Sequence, residues 1–290
     1  MFEKLIVVNQ MTNYDDLVLR FAKSLNVLGA KECLVANNIT TASDSRIGTF
    51  EGMDLTDALY ELKEAGFTTD VRDVENLPIE EINKLVLKDS DYENLIVIGA
   101  KVSSIGKRIF DSEFAYELIQ MPSKPILVVR VLEKEEDVFE TKPKDGLNAY
   151  SHVLFPTDFS ENAYHAFNYL EKMVEAGLKK VTLMHVQDIA KISPYLDYRI
   201  IEFNQIDKDR LDGLKKRLEL KGDVQVEVIL DVGRPFKEIM HVIEKNSVDL
   251  VVLGRQGKGF LKEIFIGSTS NNITRRANAS VLLIPRKEKV

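Results

Sequence analysis

A glycine-rich segment in the second half of the chain has the composition of a phosphate-binding turn. The sequence GRQGKGFLKEIFIGSTS runs from Gly254 to Ser270, between a strand-like apolar run and a predicted helix that starts near Ser268. In such a turn, backbone N–H groups can approach a phosphate, and the helix N-terminus favours negative charge. Glycine suits these positions because a Cβ would block the approach or a positive φ. The alternative is that these glycines only shape a loop.

Two common phosphate-binding motifs do not fit this segment. Gly254 and Gly259 have the separation of the outer glycines in a Walker A loop, but Phe260 stands where that motif needs lysine. Lys262 takes the place of the third glycine of a dinucleotide fingerprint. Lys258 and Lys262 could screen phosphate charge, although exposed lysines near a loop are usually only solvated.

The elements that must position this segment are short apolar runs that alternate with longer amphipathic segments. The runs begin at Lys4, Cys33, Thr68, Asn94 and Lys124 in the first half, and at His152, Lys180, Val224, Asp249 and Ala279 in the second. Several are continuously apolar, which is typical of strands buried on both faces of a parallel sheet. The pattern therefore predicts an α/β fold with helical crossovers.

The two halves of the chain repeat each other. Gly99 and Gly254 each close the fourth run, and from there the halves align without a gap, so that Leu127 matches Leu282. A length of 290 residues also favours two domains. We predict a first domain over residues 1–131 and a second over 151–290, joined by a charged linker, 132–150, that lacks hydrophobic periodicity.

The spacing Gly254-x2-Gly257-x9-Gly267-Ser268 resembles the ATP-binding pattern of the universal stress protein family. The sequences VLFPTDFSENA, MHVQD and DVGRP, from Val153, Met184 and Asp231, are similar to the first-strand, second-strand and third-strand motifs of that family. The chain as a whole resembles a tandem universal stress protein. The resemblance implies two doubly wound domains, each a five-stranded parallel sheet of order 3-2-1-4-5 with helices on both faces.

In that strand order, ligands bind beyond the carboxyl ends of strands one and four, where the order reverses. The resemblance implies that Asp158 and Val186 hold an adenine, while Pro156, Thr157 and Gly254 lie along the base and ribose. The phosphate-binding residues would be Gly257, Gly267, Ser268, Thr269 and Ser270. The ligand would be ATP, ADP or AMP, with Mg²⁺ on the phosphates. For Asp158, the alternative is an Asx turn or helix cap.

The sequence offers binding groups without an evident general base or nucleophile. His185 neighbours Val186, so strand alternation predicts that it packs on the opposite face, beneath a helix. There is no metal-ligand Cys/His spacing and no nucleophile elbow. We therefore expect a nucleotide-binding stress-response or signalling protein; the alternative is a slow ATPase or phosphotransferase. A receiver-like signalling domain would need an acidic pair beside Asp158, and the sequence has none there. The remaining alternative is a purely structural interaction protein, which would bind no nucleotide.

The first half departs from the binding pattern at most of its positions. Its counterparts of Pro156, Asp158, Val186, Gly257, Gly267 and Ser268 are Val8, Gln10, Asn37, Val102, Ser112 and Glu113. A valine side chain would intrude on a phosphate cradle, and a glutamate there would repel phosphate. We therefore expect one nucleotide per chain, unless the first half uses different residues for the same ligand.

Composition and charge indicate which kinds of partner the protein is expected to bind. A net charge of −7 and a pI near 5.4 do not steer the chain toward nucleic acid. The sequence has no signal-peptide pattern and no apolar run long enough for a membrane span. The single cysteine, Cys33, suits a reducing cytoplasm and lies in an apolar run, so we expect it in the core. The apolar fifth strands are expected to cover each other within the chain, and residual apolar surface is expected to support a homodimer.

Overall fold

The computed structural model describes residues 1–10, 12–39, 55–75, 94–101, 118–120, 124–188, 200–255 and 266–286. The chain divides into two compact units, Met1–Leu147 and Asn148–Val290. No helix in the described parts of the chain is both long and apolar enough to cross a membrane.

The first unit is a doubly wound α/β domain with one added antiparallel strand. Its elements are β1 (Lys4–Asn9), α1 (Asp15–Lys23), a 3₁₀ helix (Ser24–Leu28), β2 (Glu32–Ile39), α2 (Thr56–Glu64), β3 (Thr68–Glu75), β4 (Asn94–Lys101), β5 (Ile126–Glu135) and β6 (Val138–Lys142). Strands β1 to β5 are parallel in the order β3-β2-β1-β4-β5.

The second unit repeats this arrangement. Its elements are β7 (His152–Pro156), α3 (Glu161–Glu175), β8 (Lys180–Asp188), α4 (Ile200–Glu219), β9 (Gln225–Gly233), α5 (Pro235–Lys245), β10 (Leu250–Gly254), α6 (Ser268–Arg276) and β11 (Ser280–Ile284). The parallel order is β9-β8-β7-β10-β11. The predicted order 3-2-1-4-5, with helices on both faces, is therefore confirmed.

The strands form where the sequence is continuously apolar because both sheet faces are covered. All five residues of β11 are buried, and four of the five in β7 and in β10. In the second unit, Phe155 of β7 packs edge to face on Phe167 of α3, with ring centroids 5.4 Å apart. Cys33 is buried in β2 as expected, and burial raises the pKa of its thiol to about 12.

Part of the segment expected to be a linker is folded. Residues 132–135 continue β5, and β6 returns antiparallel to it after a turn in which Asp137 has a φ of 59°. The hairpin is stabilised by pairing between its own charges, such as Lys134 and Glu140 at 2.6 Å. Because most of these side chains face solvent, the segment lacks the apolar alternation that would have predicted a strand.

Candidate functional site

The carboxyl ends of β7, β8 and β10 lie side by side at one edge of the second sheet. Strand β7 pairs with β8 on one side and with β10 on the other. Strands β8 and β9 therefore extend the sheet in one direction from β7, and β10 and β11 extend it in the opposite direction. Pro156 ends β7 and Gly254 ends β10, while Val186 lies two residues before the end of β8. The structure thus brings the loop that carries Asp158 to the same edge as Val186 and Gly254, at the switch point of the sheet.

The loop after β7 is fixed by hydrogen bonds of its own sequence, TDFS. The Thr157 N–H donates to the Met184 carbonyl at 2.8 Å, and the Thr157 hydroxyl oxygen accepts from the Phe159 N–H at 3.0 Å. Asp158 Oδ1 accepts from the Ser160 N–H at 3.0 Å, and Ser160 in turn caps α3. The Asx turn at Asp158 is therefore present. A carboxylate has two oxygens, so this turn is compatible with a further hydrogen bond from a ligand.

Val186 lies near the end of β8, where its side chain is 8% exposed. Its register partner in β9 is Asp231. Val186 can therefore supply an apolar surface beside a polar loop, which is the mixture that small-molecule sites usually have.

Gly254 has a structural role of its own. A Cβ at this position would lie 2.8 Å from the backbone oxygen and 3.0 Å from the carbonyl carbon of Asn162, in the first turn of α3. Strand β10 can end this close to the helix only because Gly254 carries no side chain.

The start of α6 is tied to the end of β10 by two hydrogen bonds. The Ser270 hydroxyl donates to the Gly254 carbonyl at 2.9 Å, and the Gly267 N–H donates to the Arg255 carbonyl at 2.8 Å. Gly267 is the N-cap of α6, in an extended conformation, and has no side chain with which to cap the helix. The first intrahelical bond is donated by Asn271 to Gly267, so three N–H groups precede it without an acceptor in the helix.

The remaining predicted phosphate ligands divide into two groups. Ser268 is exposed and Thr269 is half-buried, whereas Ser270 is buried by its contact with β10. Gly257 and the neighbouring Lys258 and Lys262 lie outside the described residues.

A cation that was not among the predicted site residues lies beside the predicted phosphate positions. Arg255 directly follows β10 and is half-buried, and this partial burial lowers the pKa of its guanidinium. Arginine remains protonated at neutral pH even so. The sequence signal was available, because a basic residue immediately follows the glycine that ends the strand.

His185 lies where strand alternation predicted, on the face of β8 opposite Val186 and beneath α4. Its Nδ1–H donates to the Thr157 carbonyl at 2.7 Å, and its Nε2 is 3.5 Å from Asp207 Oδ2. Asp207 was not predicted as a site residue, because it is one of many carboxylates on the charged helix α4. Across the described ranges, histidine, cysteine and carboxylate side chains do not form groups of three that could hold a metal ion.

The corresponding edge of the first unit is occupied by amide side chains. Gln10, the counterpart of Asp158, donates from Nε2 to the Gly99 carbonyl at 2.9 Å. Asn9 Nδ2 donates to Asn37 Oδ1 at 2.9 Å, and Asn37 Nδ2 donates to Asp73 Oδ1 at 2.8 Å. Polar side chains thus replace the apolar surface that Val186 supplies in the second unit. Val102, Ser112 and Glu113 lie outside the described residues.

Comparison with known proteins agrees with this architecture. The sequence profile of the universal stress protein family matches residues 149–285. A universal stress protein of Methanocaldococcus jannaschii, MJ0577, is 32% identical over 157 residues, which is 48% of this chain and 96% of that protein. A second from the same organism, MJ0531, is 28% identical over 152 residues, covering 50% of this chain and 88% of that protein. The solved structure of a universal stress protein from Archaeoglobus fulgidus covers 98% of both chains with a TM-score of 0.63 at 18% identity, a likeness that shows the fold alone.

Proposed function

Because this chain belongs to the universal stress protein family, we propose that its second unit binds one adenine nucleotide, and that the protein acts as a nucleotide-dependent stress-response or signalling module in the cytoplasm. The ligand is ATP, ADP or AMP, with Mg²⁺ accompanying the phosphates.

The observation that carries the proposal is the hydrogen bond from Ser270 to the Gly254 carbonyl, 2.9 Å long. This bond holds the start of α6 against the end of β10, and β10 pairs with β7, whose following loop contains Asp158. A carboxylate acceptor and a helix N-terminus whose N-cap is a glycine are therefore anchored to adjacent strand ends. An adenine nucleotide needs groups of these two kinds, one for its amino group and one for its phosphates.

The adenine end of the site is assigned to the β7 and β8 ends. The Asp158 carboxylate accepts a hydrogen bond from the adenine amino group, and Val186 packs against the base. Pro156, Thr157 and Gly254 lie along the base and ribose. The assignment is supported by the combination of a polar loop and a nearly buried valine at one sheet edge.

The phosphate end is assigned to the start of α6. The three N–H groups that precede the first intrahelical bond point out of the helix at its positive end, where phosphate oxygens are stabilised. Gly267 has no side chain that could cover this end, and Ser268 adds an exposed hydroxyl. Thr269 and Ser270 contribute backbone N–H groups, and Gly257 belongs to the same set by its place in the family pattern. Arg255 supplies a positive charge nearby.

Thermal melts with ATP, ADP, AMP and GTP test the proposal. At about 100 times its dissociation constant, a ligand specific for the folded state adds about 2.7 kcal/mol of stability. The informative variant is Asp158→Asn, which can keep the Oδ1 acceptor of the Asx turn but replaces the other oxygen with a donor. Loss of a hydrogen bond to a charged acceptor should weaken adenine-nucleotide binding about 10- to 100-fold. The matched control is Gln10→Ala, at the corresponding position of the first unit.

The adenine nucleotides should stabilise the wild type and Gln10→Ala equally, and Asp158→Asn much less at the same concentrations. GTP should have a weaker effect, because guanine carries a carbonyl where adenine has its amino group. If none of the adenine nucleotides shifts the melting of the wild type, the chain does not bind them and the proposal is wrong.

The proposal extends to the first unit and to assembly. The first unit is a second universal-stress-like domain whose binding positions have changed, which makes the chain a tandem form of the family. Self-association to a homodimer is proposed as well, through apolar surface other than the fifth strands, because ILVVR from Ile126 and the first four residues of VLLIP from Val281 are buried within the single chain. Light scattering tests this directly, because a dimer has twice the chain mass of 32.9 kDa.

A further inference from the structure

Helix α4 contacts the loop that contains Asp158 through the side chain of His185. The chain of contacts starts at Asp207, whose side chain is 13% exposed, and passes through His185, also 13% exposed, to the backbone of Thr157. Thr157 is thus bound twice by β8, because its N–H donates to the Met184 carbonyl and its carbonyl accepts from His185. The next residue along the chain is Asp158.

The hydrogen-bond partners fix the orientation of the histidine ring. The Thr157 carbonyl can only accept, so Nδ1 carries a proton. Nε2 faces the Asp207 carboxylate, 3.5 Å from its Oδ2. The ring therefore contacts both α4 and the loop that contains Asp158.

Asp207 also binds the neighbouring groups. Its Oδ2 accepts from Gln187 Nε2 at 2.9 Å, and its Oδ1 accepts from Arg210 Nη1 at 3.3 Å. One largely buried carboxylate of α4 therefore contacts two side chains of β8, His185 and Gln187. A carboxylate present only for solubility would lie in water, as Asp209 does on the same helix.

A second contact from α4 reaches the residue after Asp158. Phe159 has a φ of 57°, a left-handed conformation that side-chain-bearing residues rarely adopt, and it is 8% exposed. Its ring lies 4.6 Å from the His185 ring and 5.3 Å from the guanidinium carbon of Arg210. The unusual backbone next to Asp158 is thus held between a β8 side chain and an α4 side chain, and such conformations persist where surrounding contacts impose them.

We propose that Asp207 and His185 are positioning residues for the adenine end of the site, and that α4 controls nucleotide affinity through them. This inference rests on the proposed nucleotide function. Neither residue touches the ligand: Asp207 orients His185, and His185 orients the Thr157–Asp158 backbone. By linkage, a change in α4 that alters nucleotide affinity is matched by an equal effect of the nucleotide on α4.

Three substitutions separate the two connections. Asp207→Ala removes the contact between α4 and the His185 ring, and His185→Ala removes both that contact and the hydrogen bond to Thr157. His185→Asn is the conservative variant, since its Nδ2 can take the place of Nδ1 and donate to Thr157 without reaching Asp207. The matched control is Asp209→Ala, which removes an exposed carboxylate two residues along the same helix.

Nucleotide dissociation constants are measured for the full chain by calorimetry with ATP and AMP. Asp207→Ala and His185→Asn should each weaken binding about 2- to 30-fold, the range of couplings transmitted through neighbouring residues. His185→Ala should weaken it further, so that the asparagine partly rescues the alanine variant. The effects of Asp207→Ala and His185→Asn should be less than additive in the double variant, because both substitutions remove the Asp207–His185 contact.

Wild-type affinity in both Asp207→Ala and His185→Asn would overturn the inference while leaving the nucleotide function intact. So would strictly additive effects in the double variant. Absence of nucleotide binding by the wild type would overturn the proposed function and this inference with it. If His185→Ala fails to fold, as judged by its melt without ligand, the other two substitutions and their double variant still decide.

Discussion

The Cα of Gly254 lies against the backbone of Asn162, so that a Cβ on Gly254 would be only 2.8 Å from the Asn162 oxygen. This contact joins the end of β10 to the first turn of α3, next to the loop that contains Asp158. A glycine in a nucleotide-binding pattern is usually attributed to the ligand, but here the protein backbone alone requires it.

We predict that Gly254→Ala destabilises the second unit. The obstructing atoms are backbone, which cannot rotate away as a side chain could, so β10 or α3 has to shift. Overpacking of this kind typically costs about 1–3 kcal/mol. Calorimetric melting without ligand measures the effect. A variant that melts at the wild-type temperature would mean that the strand and helix are further apart than this contact implies.

The opposite result is expected for Gly213→Ala in α4. Gly213 is an exposed residue inside a helix of 20 residues, and a Cβ there would meet no other atom within 4 Å. Replacing glycine by alanine in an exposed helix interior stabilises a protein by about 0.5–1 kcal/mol. The melting temperature should therefore rise by up to about 4 °C. An unchanged or lower value would indicate that α4 is not helical at this position in solution.

The fold was predictable because buried parallel strands leave a strong signal. The runs that begin at Lys4 and Asn94 are apolar on both faces, and Gly99 and Gly254 align the halves, although only Gly254 ends its strand and β4 continues to Lys101. The orientation of His185 also followed from alternation with Val186. These features depend only on local periodicity, which a single sequence records.

Contacts between distant residues were not predictable from local pattern. Asp207 and His185 meet through the packing of a helix on a strand, and on the charged helix α4 a buried carboxylate looks no different in sequence from a solvated one. The β5–β6 hairpin was missed for a related reason, since its charged side chains give no apolar alternation. Sequence periodicity reports burial, whereas these features depend on pairing.

Acid should destabilise the second unit through His152. The ring is buried at the start of β7, with Nδ1 at 3.1 Å from the Asn246 carbonyl and Nε2 at 2.8 Å from the Thr182 hydroxyl. Burial lowers the pKa of His152 below its usual 6.5, and the nearby Lys180 lowers it further. Above pH 6.5 both folded and unfolded states are neutral here. As the pH falls below 6.5, the unfolded chain takes up a proton that the folded chain resists, so stability decreases.

The measurement compares wild type with His152→Gln, which keeps a polar group toward Thr182 but does not titrate. Melting temperatures are recorded from pH 8 to pH 5 for both proteins. The wild type should lose stability relative to the variant only below about pH 6.5. Parallel curves over the whole range would show that His152 binds protons equally well in both states.

In the second unit, the proposed adenine site lies between the ends of β7 and β10. In the first unit, a side chain bridges the corresponding strands, β1 and β4. Gln10 Nε2 lies 2.9 Å from the Gly99 carbonyl, whereas the Gly254 carbonyl accepts from Ser270 of α6. The Gln10 amide therefore links the ends of β1 and β4. Beside it, Asn37 donates to Asp73 at 2.8 Å and replaces the apolar surface of Val186 with a polar chain that would have to break for an adenine to pack there.

We therefore predict that the intact chain binds one adenine nucleotide rather than two. A ligand in the first unit would have to displace the Gln10–Gly99 hydrogen bond, and it would find an amide where the second unit offers a carboxylate. The alignment of the two halves predicts that Glu113 would add a like charge at the phosphate end. Two charges about 4 Å apart repel by about 4 kcal/mol at an effective dielectric of 20. Titration calorimetry of the wild type with ATP should give a stoichiometry near one. Asp158→Asn should weaken this single event without revealing a second, because Gln10 and Asn37 already form hydrogen bonds at the corresponding positions of the first unit. A stoichiometry near two, or a second tight event that is lost in Gln10→Ala, would mean that the amides of the first unit recognise the nucleotide instead of excluding it.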